Sequence, residues 1–240
     1  MGSVGDFQGS KEFLGDDELQ DILNRIKARY KTELVPIGIR SAQLKILAVK
    51  DIDALIDQAV TKSGTGDVRF KYWGKIWEAS IVLASFIGEQ DLMSGASVLE
   101  LGAGTGVTGL FMAAWGNRVL LTDNSEDALL FARANIYLND LQSNADVKLL
   151  DWTNPDLDRQ FDYIVGSEIV HDENMFPHLL DLFIKYLKPS GTIFLAEAVK
   201  SNQSSFFEML VKYFRYERRG LVMRSGDEQY RVSIYRAWPR

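Results

Sequence analysis

Hydrophobic positions along the chain change their period several times, and each change marks an element. Leu19, Ile22, Leu23 and Ile26 recur at three- and four-residue spacing, so residues 16–30 predict an amphipathic helix. Acids cluster in its first turn, where the helix dipole favours them. Residues 33–60 mix extended apolar pieces with a short helical pattern, and KSGTGD at 62–67 reads as a loop. From residue 75 the rhythm is regular. A helix over 75–88 carries Ile76, Trp77, Ile81, Leu83, Ala84 and Ile87 and closes at Gly88. Strand 97–101, helix 105–115, strand 118–122, helix 125–139 and strand 146–150 follow. FDYIVG at 161–166 is a nearly continuous apolar run, as expected of a central strand covered on both faces. A helix over 174–187, with Pro177 in its first turn, stops before Lys188-Pro189-Ser190-Gly191 and strand 192–196.

The tail departs from this alternation. Helix 202–213 leads to strand 214–219, a polar loop (LVMRSGDEQ) and strand 230–236. Two late strands without an intervening helix predict an antiparallel hairpin at the sheet's edge. The fold class is therefore α/β, a doubly wound and mostly parallel sheet with helices on both faces. Residues 1–70 are expected to form a helical and extended N-terminal extension that packs on a main domain of residues 71–240.

Composition narrows the chemistry. The chain has 240 residues, 46% hydrophobic and 25% charged, which fits one large domain with a substantial core. A net charge of −6 opposes non-specific attraction to phosphate backbones, so no nucleic-acid partner is expected. Arg215, Arg218 and Arg219 read as a solvated strand or loop face. The lack of cysteine excludes disulfides, thiolate metal sites and a cysteine nucleophile, and fits a cytoplasmic protein. No apolar run approaches the roughly 20 residues of a membrane span, and MGSVGDFQGSKEF lacks the order of a signal peptide. With His171 and His178 as the only histidines, no metal site is expected; a carboxylate site for a hard cation stays open, but no calcium-loop spacing is present. Oligomeric state is left open.

The segment VLELGAGTGVTGL, residues 98–110, holds the candidate chemistry. Gly104-x-Gly106-x-x-Gly109 is a dinucleotide fingerprint, and Asp123 follows about 20 residues on, where a ribose would be held. Gly102, Ala103, Gly104 and Gly106 leave the first parallel strand at its carboxyl end, where ligands bind in such folds. Glu100 separates two cofactors. Beside a pyrophosphate its carboxylate would be repulsive, whereas S-adenosylmethionine presents a cationic sulfonium and an ammonium group. Asp123, with Asn124 beside it, can accept both ribose hydroxyls. Asp151 can accept the adenine amino group and Trp152 can pack on its ring. Asp151 as a turn cap and Trp152 as a core aromatic are the plainer alternatives.

This ordered set resembles the class I, seven-strand methyltransferases, and more narrowly the family-16 protein-lysine methyltransferases outside the SET class. The resemblance covers about residues 70–240. KIWEASIVLASFI at 75–87 looks like that family's tryptophan-bearing helix, in which Trp77 matches a residue lining the methionine side. Glu100, Gly102, Asp123 and Trp152 match its cofactor contacts, and Gly166 and Ser167 lie where the fourth strand meets the cofactor. The resemblance implies a seventh, antiparallel strand and a protein lysine as methyl acceptor.

One motif departs. The family's fourth strand ends in Asp-x-x-Tyr beside the acceptor, whereas GSEIVHDEN stands at 166–174 here. Ungapped, the motif positions carry Ser167 and Val170; shifted by one, they carry Glu168 and His171, which keeps an acid. Glu168 is expected to orient or deprotonate an amine, and His171 to serve as a base near neutral pH. Glu168 rather than Ser167 is expected in the pocket, because the shifted register keeps an acid where a cationic amine needs one and neighbours on a continuing strand face opposite ways. Asp172 and Glu173 read as helix caps and His178 as structural. Trp73 and Tyr72 form either an aromatic wall over the acceptor or part of the packing. A small-molecule N- or O-methyltransferase, a non-catalytic cofactor-binding protein and, last, an NAD-dependent oxidoreductase remain as alternatives.

Overall fold

A computed structural model describes residues 9–52, 73–198, 203–225 and 228–240. Helix α1 (Gly9–Lys27) leads into β1 (Thr32–Ile39) and β2 (Ala42–Val49), an antiparallel hairpin paired from Thr32↔Val49 to Ile39↔Ala42. The mixed pattern expected at 33–60 is thus a hairpin over its first part. Its remainder beyond Ile52, the 62–67 loop and Tyr72 lie outside the described residues. The two faces of β2 explain why it stays. Leu44 and Ile46 join the core beneath the main sheet, while Leu47 and Val49 pack with Ile22 and Ile26 of α1.

The alternating region yields α2 (Glu78–Gly88), β3 (Ser97–Leu101), α3 (Val107–Ala114), β4 (Arg118–Asp123), α4 (Glu126–Leu138) and β5 (Ala145–Leu149). Then come β6 (Phe161–Ser167), a 3-10 turn (Glu173–Met175), α5 (Phe176–Tyr186) and β7 (Leu187–Ala198). Helix α6 (Ser204–Leu210), β8 (Phe214–Ser225) and β9 (Glu228–Pro239) complete the chain. One seven-stranded sheet has the order β5-β4-β3-β6-β7-β9-β8. Its first five strands are parallel and β9 runs antiparallel to both neighbours.

Two expectations about element ends are corrected. Lys188–Gly191 is not a free loop, because β7 begins at Leu187 opposite Phe161 and takes up those residues as a register shift before Thr192 meets Tyr163. The stretch 221–229 is mostly strand: β8 and β9 pair as far as Ser225↔Glu228. Leu221 and Met223 cover the core, which outweighs the polarity of their neighbours.

Strand side chains alternate between two cores. Val98, Val119, Leu121 and Val165 face α2 and α3, whereas Leu99, Leu101, Ile164 and Leu195 face α5 and α6. In β3 this alternation sends Glu100 to the Val98 side. The parallel strands end together, and the loops after β3, β4, β5 and β6 surround one cavity.

Candidate active site

That cavity has a volume of about 700 Å³, in the range of pockets that hold a ligand of nucleoside size. Its floor is the turn after β3. Gly102, Gly104 and Gly106 all take the left-handed conformation, with φ of 62°, 54° and 85°. At Gly104 the need for glycine is double, because a Cβ there would stand 2.9 Å from the Trp73 carbonyl oxygen. Ala103 ties the turn down by donating its N–H to the Thr122 carbonyl at 2.8 Å.

Asp123 closes the next strand. Only 7% exposed, it lines the cavity while its carboxylate accepts the N–H groups of Gly104 at 2.9 Å and Ser125 at 3.0 Å. Burial raises its pKa, and those backbone N–H groups offset part of the rise. The carboxylate therefore locks the glycine turn to the end of β4, with Asn124 beside it on the cavity wall. Ser125 then caps α4 by accepting the Ala128 N–H at 3.3 Å.

After β5, Asp151 and Trp152 both line the cavity. Asp151 also caps its own turn, its Oδ1 accepting the Thr153 N–H and hydroxyl at 2.8 Å each. Those two bonds hold its carboxyl below the ordinary range. Turn cap and cavity wall are thus one residue. Trp152 backs onto the core under α5, so its ring serves packing and wall alike.

Glu100 stands behind the turn and not on the cavity wall. It is 2% exposed and absent from the described cavity lining, because β3 points it under α3. Its Oε2 accepts the Gly109 N–H at 2.9 Å, in a gap that a Cβ at Gly109 would enter to within 2.4 Å. Burial pushes its pKa up to about 8, so near neutral pH it is mostly an uncharged carboxyl. Its carboxyl braces the glycine turn from below, through the Gly109 N–H at the start of α3. Gly106 and Gly166 are also off the lining. Gly106 starts α3 in the left-handed conformation, and Gly166 makes room for Ile169, whose Cδ1 would lie 2.4 Å from a Cβ.

The fourth parallel strand ends unusually. β6 stops at Ser167, and Glu168 takes φ of 56°, a conformation costing a non-glycine residue about 1–3 kcal/mol. The neighbouring strand holds it there. Glu168 donates its N–H to the Ala196 carbonyl at 2.9 Å, and its Oε1 accepts the Ala198 N–H at 2.6 Å. Buried Glu197 reciprocates, its Oε1 accepting the N–H groups of Ile169 and Val170 at 3.0 and 3.1 Å. Because the strand has ended, alternation no longer applies, and Ser167 and Glu168 both line the cavity. His171 joins them. Its Nδ1 lies 2.9 Å from the Glu168 carbonyl, an acceptor only, so Nδ1 is the donor of that bond. Asp172 caps the following turn through the Asn174 N–H at 3.1 Å and also lines the cavity.

Trp77 lines the cavity as the residue before α2, and Ser80, one turn on, shares its face. Trp73 lines it too, but its ring packs against Tyr30 and Phe131 with centroids 5.5 and 5.1 Å apart. Lys75, Thr105, Ile169 and Met175 also border the cavity and carry no sequence signal that singles them out, apart from Thr105, which lies inside the glycine turn. Among the described residues no cluster of histidine, aspartate and glutamate suits a metal ion, and no helix is long and apolar enough to cross a membrane.

Comparisons with known proteins agree with this geometry. The family described as lysine methyltransferase matches residues 66–213. Protein N-lysine methyltransferase METTL21A of Danio rerio is 40% identical over 178 residues, covering 68% of this chain and 75% of the relative. EEF1A lysine methyltransferase 3 of Xenopus tropicalis is 30% identical over 168 residues, 67% of this chain and 72% of that protein. The solved 16S rRNA methyltransferase RsmC of T. thermophilus, in complex with AdoMet and guanosine, superposes with a TM-score of 0.60 at 18% identity, over 87% of this chain and 51% of that one. Precorrin-6y methyltransferase of Geobacter metallireducens gives a TM-score of 0.55 at 17% identity, over 72% of this chain and 95% of that one. At such identities these structures speak for the fold alone. The cavity suits S-adenosylmethionine on its own terms: a buried carboxylate for a diol, an indole wall, and room for a nucleoside over a turn that admits no Cβ. A doubly wound sheet with this turn, an acid ending β4 and a family match across most of the chain make it a member of the lysine methyltransferase family, an S-adenosylmethionine-dependent methyltransferase.

Proposed function

We propose that the methyl acceptor is the ε-amino group of a lysine on another protein, and that Glu168 and His171 receive it. The observation that carries this is the left-handed turn at Glu168, which brings an acid and an imidazole into the same cavity as Asp123. The names of the METTL21A and EEF1A relatives support a protein lysine as the acceptor class. Gly102, Ala103, Gly104, Asp123, Asn124, Asp151 and Trp152 would hold the cofactor, with Trp77 and Ser167 beside the reacting end. Glu100, Gly106 and Gly166 act from behind that wall. When bound, S-adenosylmethionine supplies an electrophilic methyl group on a cationic sulfur.

Lysine arrives as an ammonium ion, which has no lone pair, so the site must attract it and then take a proton. Glu168 favours the cation by its charge. His171 holds its proton at Nδ1 toward the Glu168 carbonyl, which presents Nε2 as the basic nitrogen. Aligning the amine and excluding water supply the rest of the advantage. Cytoplasmic residence and the division of the chain near residue 70 belong to the same proposal; the family match from residue 66 supports the latter.

Methyl transfer from labelled cofactor into a lysate, separated into protein and small-molecule fractions, tests the acceptor class. Label is expected on protein lysines. Label confined to small molecules would replace this reading with a small-molecule methyltransferase. Glu168→Gln should lower turnover at least tenfold, about 1.4 kcal/mol of transition-state stabilisation, with S-adenosylhomocysteine binding nearly unchanged. A fully active variant would remove Glu168 from the chemistry.

A further inference from the structure

Among the described residues that line the cavity, Lys75 is the one lysine or arginine, set among the acids Asp123, Asp151, Glu168 and Asp172. It stands at a defined end. Residues 73–77 cross above the glycine turn, as the closeness of the Trp73 carbonyl to Gly104 requires, and enter α2 at Trp77. Helix α2 is in turn held to α3 by the Thr108 hydroxyl, which donates to the Ser80 carbonyl at 3.2 Å. Lys75 thus lies between the turn after β3 and the start of α2, which packs on β6 and β7, whereas the diol acceptor Asp123 and the Asp151–Trp152 wall close β4 and β5, on the other side of β3 in the sheet. A nucleoside held by the latter places the remainder of its molecule toward β3 and β6.

That remainder has a simple charge pattern. The methionine portion of the cofactor carries a sulfonium, an ammonium and a single carboxylate. The cavity acids suit the two cations; the carboxylate needs a cation of its own. We propose that Lys75 binds the carboxylate of the cofactor's methionine moiety. Its Nζ already rests 5.1 Å from the centroid of the Trp77 ring, half-buried at the cavity edge. A ring face holds an ammonium ion without neutralising it. A charge-assisted bond to a carboxylate is stronger and directional. The flexible four-carbon stem lets the ammonium pass from the ring to the carboxylate on binding, leaving the ring as the wall behind it.

This assignment rests on the S-adenosylmethionine reading, and the two are tested separately by a pair of ligands. S-adenosylhomocysteine carries the amino-acid portion; 5′-methylthioadenosine keeps the nucleoside and sulfur and lacks the carboxylate. Calorimetric titration of both into wild type, Lys75→Met and Lys75→Arg is the experiment. Lys75→Met is expected to weaken S-adenosylhomocysteine about tenfold, the low end for a bond to a charged group at a half-exposed site. Its affinity for 5′-methylthioadenosine should stay within about twofold, and Lys75→Arg should regain most of the loss. Equal weakening of both ligands would mean that Lys75 only shapes the loop, and no change for either would place it elsewhere; each overturns the proposal. Wild type binding neither ligand would overturn the cofactor reading and this inference with it.

Discussion

Replacing Glu100 by glutamine separates the charge of this side chain from its shape. The carboxyl is fully buried below α3 and accepts the Gly109 N–H at 2.9 Å. Burial is the larger influence on its pKa; the hydrogen bonds from Gly109 and Thr108 oppose it and lose, and the value rises from an ordinary 4.5 to about 8. The folded protein therefore keeps a proton that the unfolded chain releases. Such a group contributes its full stabilisation below pH 4.5 and loses it as pH rises to about 8, so stability falls with pH across that window. At about 1.36 kcal/mol per pH unit the whole window amounts to roughly 5 kcal/mol, and relaxation around a buried charge reduces it. Glutamine keeps an oxygen for the Gly109 N–H and does not titrate. Urea unfolding of both proteins at about pH 5.5, 7 and 8.5, at constant ionic strength, reads the difference directly. Wild-type stability relative to the variant is expected to drop by on the order of 3 kcal/mol from the lowest to the highest pH. Asp123, whose pKa burial also raises, is common to both proteins and cancels to first order. A difference that does not change with pH would refute the placement of a neutral carboxyl under the glycine turn.

Asp123→Ala should weaken S-adenosylhomocysteine binding by about 1.5–3 kcal/mol, the range for hydrogen bonds to a charged group. Asp151→Asn should cost less, since the amide keeps an acceptor for the Thr153 turn; a larger loss in the same titration would reverse the ribose and adenine ends. Gly104→Ala meets both a φ of 54° and a 2.9 Å approach to the Trp73 carbonyl, so the backbone penalty alone is about 1–2 kcal/mol. Scanning calorimetry should show a lower melting temperature, and an unchanged one would argue that residues 73–77 do not cross the turn as closely as described.

The parallel part of the fold was legible because both of its signals are local. Mostly apolar runs such as Val98–Leu101, broken only by Glu100, and Tyr163–Val165 are short and closed by glycine or polar residues, and the helices between them keep one apolar face. The N-terminal hairpin was harder. Each face of β2 is buried against a different partner, Leu44 and Ile46 against one core and Leu47 and Val49 against α1, which erases the polar alternation that announces a strand. The edge hairpin was underestimated for the opposite reason. Arg224 and the polar residues after it look like a loop, yet Leu221 and Met223 just before them carry the strand to Ser225. Long-range pairing decides such segments, and no window of neighbouring residues contains it.

The site shows the same division at finer scale. Asp123, Asp151, Trp152 and the glycines sit at strand ends, and strand ends follow from the hydrophobic rhythm, so their convergence could be argued from spacing. The face of Glu100 follows from its alternation with Leu99 and Leu101, which turns it toward α3, and not from its charge. Glu168 is different in kind. Its inclusion depends on where β6 stops, and β6 stops because Ala196, Glu197 and Ala198 on the neighbouring strand take up the backbone groups and side chain of the turn. A left-handed glutamate costs about 1–3 kcal/mol and is stable only against such a partner. The four bonds linking the 168–170 turn to β7 outweigh that cost, since each is worth about 0.5–1.5 kcal/mol or more where a carboxylate accepts. The turn that carries Glu168 is therefore held by β7, through buried Glu197 and the Ala198 N–H, and the acid of the candidate acceptor site is placed by β7 as much as by its own strand.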